Sequence, residues 1–183
     1  FRGHTHTDST LSRTCPTAAT GHTPARTRTR TRTPWVAEAA PATHVAGADI
    51  TEFVGKRSDD IRVMFTDNAV EALWNLSKPT IAMVDGFALG GGCEVACSCD
   101  VRIASDRSRF GTPEINLGLI PGYGATQRLV GLVGYGKTME MIMTGEMVSA
   151  EEAHRIGLAN HVCTPDELHA FTLKMAQTIG SKS

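Results

Sequence analysis

Residues 78–94, Lys-Pro-Thr-Ile-Ala-Met-Val-Asp-Gly-Phe-Ala-Leu-Gly-Gly-Gly-Cys-Glu, constrain the fold more than any other stretch. Four consecutive apolar residues, Ile81 to Val84, read as a buried strand, because a strand covered on both faces has no polar alternation. Asp85 and Gly86 turn the chain, residues 87–92 form a glycine-rich approach, and residues 93–99 continue as a helix. The first N–H groups of such a helix have no intrahelical partner, and the helix dipole favours negative charge there. Gly90, Gly91 and Gly92 let another group come close to the backbone. Glu94 follows them at once and Glu114 stands twenty residues on. The pattern is a hole for a developing anion with a proton donor and a proton acceptor beside it, which is what carbonyl chemistry requires.

The rest of the orderly text alternates strand and helix. Residues 45–53, Val-Ala-Gly-Ala-Asp-Ile-Thr-Glu-Phe, read as a strand end followed by a helix start at Asp49. Ile61, Phe65, Ala69, Leu73 and Leu76 recur at helical spacing and stop before Lys78-Pro79. Short strands are expected at 100–104 and 109–111. Thr112-Pro113-Glu114 has the form of a helix entry, with a threonine cap and proline in the first turn. Helices are expected at 126–133 and 137–144. Ser149 and Glu152 fit a capping box for a helix ending at Gly157, 158–162 reads as a strand, and Thr164, Pro165 and Glu167 open a last helix reaching about Ile179. The fold class is α/β, with no internal sequence repeat in view.

Composition narrows the options. A chain of 183 residues fits the ~100–200 residues of one domain. A hydrophobic fraction of 41% supplies a core, and a net charge of −1 gives no global pull toward nucleic acid or an anionic membrane. No apolar run approaches the ~18 residues of a membrane span. The five cysteines, Cys15, Cys93, Cys97, Cys99 and Cys163, are an odd number and point to free thiols in a reducing compartment. Cys93, Cys97 and Cys99 lack the histidine or second Cys pair of a tetrahedral metal site, so core packing is the better reading and no metal is expected. Met139, Met141 and Met143 read as core, and His154, His161 and His169 as surface or structural residues.

Residues 1–36 differ from everything after them. They hold six arginines and a single acid, Asp8, with no hydrophobic period. Such a segment buries too little to fold alone. An unstructured or foreign leader over residues 1–44 is the expectation, beside two alternatives: an organellar transit segment and a basic arm for nucleic acid. The arginines are not interleaved with aromatic residues apart from Trp35, which weighs against the last.

Taken together, Ala-Gly-Ala-Asp at 46–49, the 78–94 motif, Cys99-Asp100, Phe-Gly-Thr-Pro-Glu at 110–114 and Ile-Pro-Gly-Tyr-Gly-Ala-Thr-Gln-Arg-Leu at 120–129 resemble the enoyl-CoA hydratase/isomerase family, the crotonases. The resemblance runs from Val45 to about Lys182. It implies a spiral of ββα units, and here it implies a core over 45–183 that lacks the family's N-terminal strands and C-terminal helices.

The function implied is reversible addition of water to a trans-2-enoyl-CoA, giving a 3-hydroxyacyl-CoA. By the resemblance, the N–H groups of Ala48 and Gly91 correspond to the oxyanion hole for the thioester oxygen. Glu94 corresponds to the acid that activates water for the β carbon, and Glu114 to the one that delivers a proton to the α carbon. Ala46, Gly47, Asp49, Ile50, Gly90 and Gly122 line the substrate, with the Gly122 backbone helping to place the water. The expected partner is an acyl-CoA thioester, with no cofactor beyond the coenzyme A of the substrate, no nucleic acid and no membrane. A homo-oligomer, trimer or dimer of trimers, is implied for the full-length parent, in the cytoplasm of a bacterium or in mitochondria if the source is eukaryotic. Two alternatives stand beside hydration: isomerisation or another acyl-CoA conversion on the same fold, and a non-catalytic crotonase-like fragment.

Overall fold

A computed structural model of the chain describes residues 37–38, 55–57 and 68–182. All of them belong to one compact unit, Arg32–Ser183. The expected segment at 45–53 and the first part, 61–67, of the helix expected from Ile61 to Leu76 lie outside the described residues.

Among the described residues two small sheets carry the architecture. The first contains β1 (Ala37–Glu38), β2 (Ile81–Val84), β4 (Val101–Ser105) and β7 (His161–Cys163) in the order β1-β2-β4-β7, all parallel. The second contains β3 (Phe87–Leu89), β5 (Arg109–Gly111) and β6 (Val148–Ser149), with β3 and β5 parallel and β5 and β6 antiparallel. The chain therefore places one strand in each sheet, turns, and repeats. In the first sheet Ile81 pairs with Val101, and in the second Phe87 pairs with Arg109. This is a structural repeat without a sequence repeat, because parallel pairing asks only for main-chain donors and acceptors at matching places.

The strand β2 is buried along its whole length, as its apolar run requires. Its side chains divide by the two-residue alternation of a strand. Ala82 and Val84 join Ala104, Cys93, Cys97, Phe110, Leu129, Met141 and Leu158 in the main core. Ile81 and Met83 face the other way and pack with Ile103 against Leu168 and Ala176 of the last helix.

Among the described residues the helices are α1 (Ala69–Trp74), α2 (Gly91–Ser98), α3 (Ala125–Val133), α4 (Tyr135–Thr144), α5 (Ala150–Arg155) and α6 (Pro165–Ser181), with a 3₁₀ turn at Pro113–Leu117. Asn68 caps α1 by accepting from the N–H groups of Val70 and Glu71 at 2.9 and 3.1 Å. The Glu167 carboxylate accepts from the Thr164 N–H and hydroxyl at 3.3 and 2.7 Å, so the entry expected for α6 forms.

Several expectations are corrected. Ala37 and Glu38, inside the stretch assigned to a leader, pair with Ala82 and Met83 as an edge strand; a parallel edge needs no hydrophobic pattern of its own. Residues 87–89 of the glycine-rich approach are strand. Asp100 lies outside β4, because its carboxylate clasps Thr80, accepting from the Thr80 N–H at 2.7 Å and hydroxyl at 2.8 Å. The strand placed at 158–162 is His161–Cys163, because Leu158 and Ala159 are consumed by a buried turn whose Leu158 carbonyl accepts from Arg102 Nε. Ser149 accepts from the Glu152 N–H, but the Glu152 carboxylate turns to Arg155 at 2.7 Å and no reciprocal box forms. Met141 is buried while Met143 is exposed, so the methionine series is only partly core.

Candidate functional site

The pairing of β3 with β5 builds the site. Leu89 lies opposite Gly111, and the next N–H, that of Gly90, donates to the Gly111 carbonyl at 2.9 Å. From there the two strands depart in different ways. At Gly90 the backbone adopts φ +54°, ψ −125°, a conformation open to glycine, and enters α2. At Thr112 the other strand enters the 3₁₀ turn, whose second residue is Glu114. Glu114 is thereby laid over the start of α2: a Cβ added to Gly90 would lie 3.2 Å from Glu114 Oε1. The first helical hydrogen bond of α2 runs from the Glu94 N–H to the Gly90 carbonyl at 3.0 Å. The Gly91 N–H is thus one of the donors that a helix start leaves without an intrahelical partner.

Glu94 sits one turn into α2 and is 1% exposed. Its Oε1 accepts from the N–H of Tyr123 at 2.7 Å and from the N–H of Ala125 at 3.0 Å. Ala125 is the first residue of α3, so the carboxylate of one helix fills an orphan donor position at the start of the next. Burial is the main cause that pushes the Glu94 carboxyl up to about 7, opposed by the two N–H donors and by the charge of Arg128, and reinforced by the charge of Glu114. Burial also holds Glu114 above the usual carboxylate range, offset in part by its own N–H. Glu114 Oε2 is buried and has no hydrogen-bond partner among the described residues. An unpaired oxygen of this kind is costly, and a protonated carboxyl able to donate to a ligand is its natural resolution.

The structure thus brings together Glu94, Glu114, Gly90 and Gly91. Gly122 lies in the exposed turn beside Tyr123. Ala46, Gly47, Ala48, Asp49 and Ile50, the expected second oxyanion donor among them, lie outside the described residues. Thr112 was expected to cap the 3₁₀ turn and does not: its hydroxyl is buried without a hydrogen-bond partner among the described residues.

The turn at 121–124 is legible in the sequence, but its role in receiving Glu94 was missed. Its signal was present, since Gly122-Tyr123-Gly124 immediately precedes a helix and offers unpaired N–H groups to an acid. What could not be read is which acid, because the bonds span 29 and 31 residues. Arg128, whose guanidinium donates to the Tyr123 carbonyl, was missed for the same reason.

A family model described as enoyl-CoA hydratase/isomerase matches residues 31–183, beginning ahead of the Val45 at which the resemblance was read. The short-chain-enoyl-CoA hydratase of Clostridium acetobutylicum is 48% identical over 141 residues, covering 76% of this chain and 54% of that protein. The probable enoyl-CoA hydratase of Rhizobium meliloti is 49% identical over 138 residues, covering 75% and 54%. Among solved structures, the enoyl-CoA hydratase from Bacillus anthracis superposes with a TM-score of 0.70 at 38% identity, over 74% of this chain and 54% of that one. The chain spans about half the length of the curated relatives it matches.

Proposed function

Because the chain belongs to the enoyl-CoA hydratase/isomerase family and has its crotonase-type α/β fold, we propose that its site adds water reversibly to a trans-2-enoyl-CoA. The observation that carries this reading is the pair of buried acids at one glycine-rich helix start, Glu94 held near 7 and Glu114 raised with one oxygen unpaired.

In the forward direction ionised Glu94 takes a proton from water as the oxygen bonds to the β carbon. Electron density from the double bond moves onto the thioester oxygen as an enolate. The N–H groups of Gly91 and Ala48 hold that charge, which is greatest in the transition state, and each such donor is worth roughly 3–4 kcal/mol there. Protonated Glu114 then delivers its proton to the α carbon. The product carries the elements of one water, and return of a proton from Glu94 to Glu114 resets the pair. Ala46, Gly47, Asp49, Ile50, Gly90 and Gly122 complete the acyl-CoA contacts in this reading.

Coenzyme A enters as part of the substrate, and the mechanism calls on no other cofactor. Among the described residues no helix is long and apolar enough to cross a membrane. Bacterial cytoplasm is the proposed location, supported by the bacterial relatives; a relative from Dictyostelium discoideum is named as mitochondrial. A homotrimer or dimer of trimers for the whole protein is supported by exposed Ile115, Leu117, Leu119 and Ile120.

The test is hydration of crotonyl-CoA, followed by loss of the enoyl absorbance. Wild-type chain consumes the enoyl thioester and yields the 3-hydroxy product; an unchanged signal, or full activity in Glu94→Gln plus Glu114→Gln, overturns the assignment. A shifted double bond with no added water identifies an isomerase instead.

A further inference from the structure

Arg128 lies on α3 four residues beyond Gly124, and its side chain runs back toward the start of its own helix, the direction helical side chains take. There its guanidinium donates to the Tyr123 carbonyl. A second nitrogen, Nη2, donates to Glu71 Oε1 at 3.2 Å. The guanidinium also stacks over Trp74, 4.6 Å from the ring centroid. Glu71 and Trp74 both belong to α1. The Arg128 side chain is only 9% exposed although Glu71 is 45% exposed, so the stack and the carbonyl contact outweigh the ion pair. Gly124 makes this possible twice over: it takes φ +103°, and a Cβ there would overlap the guanidinium.

The peptide groups on either side of the Tyr123 α carbon serve different masters. The Tyr123 N–H donates to Glu94, and the Tyr123 carbonyl accepts from Arg128. The turn that fixes Glu94 is therefore itself fixed by Arg128, which α1 holds in turn. Going beyond the two acids while resting on the reading of Glu94 as the water-activating group, we infer that Arg128 is a positioning residue: it holds the 122–125 turn so that two N–H groups meet Glu94, and it couples α1 to the site. Its charge also opposes the effect of burial on Glu94, in the same sense as the N–H donors it steadies.

The test titrates Glu94 in the full chain without substrate, by isotope-edited infrared absorbance of ¹³C-labelled glutamate, with Glu94→Gln identifying the band. In Arg128→Gln the midpoint moves upward by about one pH unit, since a favourable charge and well-placed donors are both lost. The ascending limb of kcat/KM moves the same way, with kcat falling and KM within about twofold of wild type. Arg128→Lys retains the charge without the planar fork, so it gives a smaller upward shift and serves if the glutamine variant fails to fold. A Glu94 midpoint unmoved in a folded variant, with only the melting temperature lowered, overturns the inference. Because the midpoint needs no turnover, an inactive wild-type chain would count against the hydratase reading and leave the judgement on Arg128 intact.

Discussion

The two acids of the site stand on supports of opposite character. Glu94 belongs to α2, where Gly92, Cys93, Ala96, Cys97 and Ser98 are also buried, and its carboxylate is tied to the start of α3. Glu114 belongs to a 3₁₀ turn with no buried residue, in which Ile115 and Leu117 are exposed and after which Leu119 and Ile120 are exposed as well. Burial raises the affinity of both for a proton, but one carboxyl is fixed by donors and the other has an oxygen left over. Under the proposed hydration the difference suits the tasks: the group that would aim at a water is held by two N–H donors, and the one that would meet a carbon keeps an oxygen unpaired among the described residues.

The largest effects should fall on catalysis. Glu94→Gln and Glu114→Gln are each expected to lower kcat by ~10²–10⁴-fold in steady-state hydration assays, the usual range for a lost acid or base. A loss confined to one variant would break the symmetry of the pair and favour the single-acid chemistry of an isomerase.

Stability should then separate the two supports. A Glu94 carboxyl raised from 4.5 to about 7 binds its proton more tightly when folded. Between those values the folded state holds more protons than the unfolded one, so stability falls as pH rises through that window, by up to ~3 kcal/mol from this group. Urea unfolding of Glu94→Gln, which keeps an acceptor for both N–H groups, should show a flatter dependence from pH 4.5 to 7 and greater stability at pH 8.

Truncation sharpens the contrast further. Glu94→Ala leaves the N–H groups of Tyr123 and Ala125 without their acceptor and should be less stable than Glu94→Gln by about 2–3 kcal/mol. The same comparison at Glu114 should differ by less than about 1 kcal/mol, because among the described residues no backbone donor depends on its Oε2. Between these two, Gly90→Ala should cost ~1–2 kcal/mol, from its positive φ and from a Cβ close to Glu114. Ile120→Ser, at a residue 75% exposed, should shift the monomer's stability by less than ~0.5 kcal/mol.

How far the sequence anticipates this depends on the range of the interaction. The strand β2, the α2 entry and the last helix were legible, since each rests on contiguous apolar runs, glycines or a local cap. Glu94 was legible because a charge among Cys93, Val95, Ala96 and Cys97 calls for a reason. What anchors it was not legible: the Tyr123 and Ala125 N–H groups and Arg128 are brought in by packing of α2 on α3, which no local pattern encodes. The cap expected at Thr112 failed because φ −126° and ψ 73° direct the chain into a 3₁₀ turn without turning the hydroxyl onto its first N–H groups. The paired repeat of β2-β3 and β4-β5 was hidden because parallel register leaves no signature in side-chain identity.

The pH dependence of kcat/KM for crotonyl-CoA tests the central claim most directly. With Glu94 ionised as base and Glu114 protonated as acid, the profile should be bell-shaped, with an ascending limb that depends on the Glu94 carboxyl. The Glu94→Gln variant should lose that limb along with most of its rate. A profile flat from pH 5 to 8 in the wild type, or an ascending limb that survives in Glu94→Gln, would contradict the account.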